Sequence, residues 1–272
     1  MVSKWQKGSV VVLKGQLGWH RTGGDLPQLV LVHGLTDNGL CWSRLAAALA
    51  HRFDVVMIEA RGHGGSSAMP AGEAPDPARD LREALTALGI SNPVIVGHSV
   101  GARAAAGLAA LLPTFPKGLV LEDPPLISPS TGAELRARRD QFTAHVADLR
   151  TKSEAELMAQ CRAQSPTWHD DDLPDWAAAK HQVDPAALPV LRSSWQADFA
   201  AIRVPTLILA GEPALGSMVS EAALAEACAL NPRIMAARIA GAGHNVRREN
   251  FGEYLAVLTQ FLRQNTRREN DR

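Results

Sequence analysis

The sequence lacks any apolar run long enough to span a bilayer, and Met1 to Lys7 lead into no apolar signal-peptide core. A soluble protein retained in the cytoplasm is therefore expected. It also lacks net charge, because 28 Lys and Arg balance 28 Asp and Glu. No overall field favours nucleic acid or an anionic membrane surface, although the stretch from Arg263 to Arg272 is locally basic. Cysteine is scarce. Cys41, Cys161 and Cys228 are too few and too scattered for a disulfide framework, none has metal-ligand spacing, and each reads as a small buried apolar residue. Dinucleotide and Walker glycine patterns are missing, as is any His, Cys or carboxylate cluster with ligand spacing, so neither a cofactor nor a metal is expected. No internal repeat or low-complexity segment is present.

What is there is an alternation. Short β-branched apolar runs alternate with Ala- and Leu-rich stretches, the pattern of parallel strands covered by helices on both faces of a doubly wound α/β sheet. Strands are expected at Val10–Leu13, as an antiparallel edge, and at Leu29–Val32, Val55–Ile58, Val94–Val96, Leu119–Leu121, Thr206–Ala210 and Arg233–Ile239. Helices are expected at Cys41–Ala50, Arg79–Leu88, Val100–Leu112, Ser220–Leu230 and Phe251–Arg263. The alternation breaks between about 126 and 201, where Ala133–Leu149 and Ser153–Ala163 read as helices with no strand between them. The expected organisation is a core of residues 1–125 and 202–264, an inserted helical cap at 126–201 and a disordered tail at 265–272. The cap holds Trp168, Trp176 and Trp195. A lid needs an apolar inner face, so one or two of these are expected to line a substrate pocket.

The most informative motif is Gly97-His98-Ser99-Val100-Gly101, lying between the strand Val94–Val96 and the helix that begins at Val100. Strand, Gly-x-Ser-x-Gly, helix is the context of a nucleophile elbow, in which a tight turn lifts the serine hydroxyl above the strand ends. The helix N-terminus just beyond favours developing negative charge. His98 reads as a packing residue. Three further stretches stand beside the elbow: His33-Gly34-Leu35-Thr36, Arg61-Gly62-His63-Gly64-Gly65-Ser66 and Gly241-Ala242-Gly243-His244.

With these four motifs the chain resembles the α/β-hydrolase superfamily over nearly its whole length apart from the cap and tail. The resemblance implies a serine hydrolase with Ser99 as nucleophile, His244 as general base, and an oxyanion hole made from the backbone N–H groups of Leu35 and Val100. His33, Arg61 and His63 read as residues that organise their loops. In the commonest family pattern the acid follows the penultimate strand, but there the chain reads Gly211-Glu212-Pro213-Ala214. Some members place it one strand earlier, where this chain has Glu122-Asp123-Pro124-Pro125. Asp123 is the preferred acid, with Glu212 and Glu122 as alternatives. Neighbouring strand residues point to opposite faces, so Glu122 and Asp123 cannot both face His244.

Arg247 and Arg248 read as a solvated or ion-paired helix entrance, with a substrate carboxylate as the other possibility. The expected reaction is hydrolysis of a small ester or lactone, apolar or aromatic given the tryptophan-rich cap, through an acyl-enzyme. Two rivals stand beside it: carbon–carbon bond hydrolysis by the same residues, and ligand binding without turnover. The sequence sets no oligomeric state.

Overall fold

The computed structural model describes residues 5–70, 73, 75–189 and 193–266. Among them, eight strands form one sheet: β1 (Gln6–Val12), β2 (Gly15–Arg21), β3 (Gln28–Val32), β4 (Asp54–Ile58), β5 (Val94–His98), β6 (Gly118–Glu122), β7 (Thr206–Ala210) and β8 (Ile234–Arg238). Their spatial order is β1-β2-β4-β3-β5-β6-β7-β8, with β1 and β2 antiparallel and the other six parallel to one another. The helices are α1 (Ser43–Leu49), α2 (Pro77–Ala87), α3 (Val100–Leu111), α4 (Gly132–Thr151), α5 (Glu154–Gln164), α6 (Leu173–His181), α7 (Trp195–Ala201), α8 (Glu221–Leu230), α9 (Val246–Glu249) and α10 (Phe251–Asn265).

The two-residue period of the central strands divides their side chains between two cores. Val30, Val32, Val56, Ile58, Ile95, Leu119, Leu121 and Ile208 join α2, α3, α7 and α8 on one face. Leu29, Leu31, Val55, Met57, Val94, Val96, Val120 and Leu207 join α1 and α10 on the other. Both faces are covered, which is why these runs are apolar at every position rather than at alternate ones.

One strand goes unread in the sequence. The expected edge strand at Val10–Leu13 is half of a hairpin, β1 turning back into β2 with Val12 opposite Gly15. β2, with Gly15, Gly18 and three polar residues, carries too little apolar alternation to announce itself; its partner β4 supplies the pairing. Between β6 and β7 the described residues hold only helices, α4 to α7, apart from an isolated bridge from His63 to Val183. Of these, α7 packs on α3 and is tied to it by an Arg103–Asp198 ion pair of 2.9 Å. The expected tail lies outside the described residues from position 267 onward, and Asn265 closes α10.

The elbow after β5 is possible only because α3 crosses close over the β3 end. A Cβ on Gly101 would collide with the backbone carbonyls of Val32 and His33, which cannot swing away as a side chain would. Gly101→Ala is expected to cost about 3 kcal/mol through overpacking, lowering Tm by roughly 6–12 °C in a thermal melt followed by circular dichroism.

Candidate active site

Ser99 sits where β5 hands over to α3, with φ 53° and ψ −120°, a conformation that non-glycine residues avoid. Such strain persists only where its surroundings hold it. Here the Ser99 N–H donates to the Glu122 carbonyl at 2.9 Å, and the Ser99 carbonyl accepts from Ala102 and Arg103 in the first turn of α3.

Asp123, just past β6, is the second non-glycine residue in a left-handed conformation at this sheet edge, with φ 40°. Its side chain is fully buried and turned toward His244, whose Nδ1 lies 2.7 Å from Oδ2. The Met218 N–H also donates to Oδ2 at 2.7 Å, and the Ser217 hydroxyl donates to Oδ1. An acceptor-only carboxylate at Nδ1 fixes the His244 tautomer with its proton there, leaving Nε2 free to accept one. The His98 ring, 4.8 Å from that of His244, donates from Nε2 to the His244 carbonyl at 3.0 Å and so steadies the loop. Burial, Arg247 and His244 hold the His98 pKa well below its ordinary value, so the ring stays neutral.

The other two acid candidates face elsewhere. Glu122 points to the opposite side of β6 and pairs with Arg247 at 3.1 Å, while Glu212 accepts from the Gly241 N–H at 2.7 Å and ties its loop. Among the described residues neither the Leu35 nor the Val100 N–H donates to another backbone group, and the Val100 donor is one of the four that any helix start leaves free. His33 donates from Nδ1 to the Gly34 carbonyl at 2.7 Å and accepts from the Ala60 N–H at 2.9 Å. His63 reaches the Leu35 carbonyl at 2.5 Å, and Arg61 makes a two-pronged ion pair with Asp80 at 2.8 and 2.9 Å. All three organise loops.

Ser99, His244, Leu35 and Val100 line one cavity of about 520 Å³ under the helices between β6 and β7. Trp168 and Trp176 line it too, edge to face with centroids 5.8 Å apart. Trp195 does not. It is packed edge to face on Phe199 in the core beneath α3, because α7 belongs with that layer rather than over the cavity. Among the described residues no cluster of three His, Cys or carboxylate groups could hold a metal ion, and no helix is long and apolar enough to cross a membrane.

A family model described as the alpha/beta hydrolase family matches residues 29–256. The chain belongs to this family. The hydrolase is 30% identical over 250 residues to the N-formylmaleamate deformylase of Pseudomonas putida, covering 89% of this chain and 91% of that protein. It is 28% identical over 257 residues, 89% and 90% of the two chains, to the 2-(acetamidomethylene)succinate hydrolase of Mesorhizobium japonicum. Among solved structures, an E-2-(acetamidomethylene)succinate hydrolase superimposes with a TM-score of 0.79 at 24% identity, over 95% of this chain and 99% of that one. Its general activity is hydrolysis.

What sequence reasoning missed in this hydrolase is Asp37. It is buried, with Lys180 at 3.2 Å, Arg247 at 3.3 Å and Arg248 at 2.9 Å, and these three cations hold its pKa well below the carboxylate range against the effect of burial. Arg247 and Arg248 are 3% and 2% exposed, so the helix entrance is ion-paired but not solvated. Lys180 lies 143 residues from Asp37, and no local pattern announces the pair.

Burial, with His63 beside it, lowers the His33 pKa from 6.5 to about 4. The unfolded chain therefore binds this proton at higher pH than the folded one, and stability present above pH 6.5 is lost as pH falls toward 4. His33 alone is expected to remove about 2 kcal/mol between pH 7 and pH 5. Urea unfolding at the two pH values should show this loss, and His33→Gln should reduce it by that amount.

Proposed function

We propose that this hydrolase cleaves a small ester or lactone through an acyl-enzyme on Ser99. His244 takes the Ser99 proton as the hydroxyl attacks the carbonyl, and returns it to the leaving oxygen. Asp123 orients the imidazole and stabilises the imidazolium that forms. The N–H groups of Leu35 and Val100 hold the oxyanion, each such donor being worth about 3 kcal/mol in the transition state. Water, deprotonated by His244, then releases the acid and restores Ser99.

The observation that carries this reading is the 2.7 Å contact between His244 Nδ1 and the fully buried Asp123 carboxylate, beside a cavity that His244 shares with Ser99. The same constellation can cleave an acyl–nitrogen bond. That second reading is favoured by the two full-length relatives, one named for removing a formyl group from nitrogen and the other for an acetamido substrate. Carbon–carbon cleavage and binding without turnover are the outcomes to be separated by experiment.

Turnover of p-nitrophenyl esters, small lactones and N-acyl compounds should be compared across variants of matched thermal stability. Asp123→Asn is expected to lower kcat about 10⁴-fold and Ser99→Ala at least as much, whereas Glu212→Gln keeps its turnover. A wild type that is folded, inert toward every substrate and unlabelled by a fluorophosphonate at Ser99 would point to binding alone.

A further inference from the structure

The charges around Asp37 do not cancel. Among the described residues Lys180, Arg247 and Arg248 make ion pairs with two carboxylates, Asp37 and Glu122, in one buried cluster, while Asp172, which also acts on Arg248, is paired with Arg44. Lys180 directs its ammonium at the Thr36 carbonyl, the Thr36 hydroxyl and Asp37, which occupies its three donors. Arg247 spans Glu122 and Asp37 and lies flat on Trp42, 3.9 Å from the ring centre. Arg248 is the one left incomplete. Its Nη2 donates to Asp37 and its Nη1 to Asn245, but its Nε is buried without a partner.

This unfinished guanidinium borders the cavity that holds Ser99 and His244. Beneath it, 4.7 Å away, is the ring of Trp168, whose indole Nε1 is also buried and unpartnered. Arg248 and Trp168 thus both line the cavity, each carries a buried N–H without a partner, and the ion pairs of the cluster leave one positive charge in surplus. Buried donors are seldom left unpaired without a reason, and an arginine with free N–H groups matches a planar carboxylate better than any neutral acceptor.

We propose that Arg248, with the Trp168 indole N–H beside it, binds a carboxylate of the substrate, so that the preferred substrate is a small acid whose acyl bond is cleaved at Ser99. The proposal rests on the Ser99 reading for the bond cleaved, but the carboxylate site stands or falls by binding alone. It narrows the expectation of a purely apolar substrate: apolar groups meet Leu149, Leu157 and Trp176, while the charged end meets Arg248.

The test is calorimetric binding of glutarate and of its neutral diamide, glutaramide, to Ser99→Ala protein. Glutarate is expected to bind about 10–100-fold more tightly, the range of a charge-assisted hydrogen bond. Arg248→Met should abolish the difference. Because that change also strips Asp37 of a partner and could disturb folding, Trp168→Phe is the second variant, keeping an aromatic ring while removing the N–H together with the pyrrole half of the indole; it should weaken glutarate several-fold while glutaramide, which meets the same loss of ring area, is weakened less. Equal binding of the two probes, no binding of glutarate, or glutarate binding indifferent to Trp168→Phe and to folded Arg248→Met overturns the proposal. Wild-type turnover of p-nitrophenyl acetate is measured alongside. Turnover without glutarate binding removes the carboxylate site and leaves the hydrolase, and glutarate binding without turnover does the reverse.

Discussion

A single buried carboxylate, Asp37, holds together four parts of the chain that are remote in sequence. Through Arg247 and Arg248 it grips the loop and short helix α9 that follow His244, and through Arg247 it reaches Glu122 at the end of β6, one residue before Asp123. Through Lys180 it anchors α6, one of the helices that roof the cavity, and Asp37 itself lies two residues beyond Leu35. Removing one partner from such a cluster leaves an uncompensated buried charge, which costs about 3–5 kcal/mol. The loops bearing Leu35, Asp123 and His244 therefore share one electrostatic anchor, and a shift in any of them is resisted by the others.

That anchor explains how two strained residues persist at one sheet edge. Ser99 and Asp123 both have positive φ, each costing on the order of 1–3 kcal/mol, and they terminate adjacent parallel strands. The Ser99 N–H bonds to the Glu122 carbonyl and the Asp123 N–H to the Leu209 carbonyl, so each is held by the strand beside it. Further support comes from the close approach of α3 to the end of β3, which needs Gly101. The helices between β6 and β7 meet the core through the ends of α6, in contacts such as Asn38–Gln182 and Arg44–Asp172, and through α7 on α3.

Much of this was legible in advance because it is local. Apolar runs at every position gave away the buried parallel strands, and the elbow, His33 and His244 lie in short motifs whose glycines and polar residues are contiguous. Asp123 could be preferred over Glu122 and Glu212 by resemblance to family members that place the acid after this strand, but not separated from them, since all three lie at strand ends on the same sheet edge. β2 is hidden because it has two glycines and a polar composition, and its partner β4 lies 35–39 residues away. Trp195 could not be told apart from Trp168 and Trp176 in the sequence because an aromatic in a helical segment looks the same whether it faces a cavity or a core.

The sequence by itself determined the alternation of strands and helices, the elbow at Ser99 and the glycine-rich loop that carries His244, because each is encoded in residues adjacent along the chain. Only the tertiary structure decided which carboxylate meets His244, which tryptophans reach the cavity, and that Arg247 and Arg248 are buried around Asp37 beside Lys180. Those outcomes depend on side chains from distant segments sharing one desolvated volume, where each charge must find a partner. A partner supplied from more than 100 residues away leaves no trace in any local pattern.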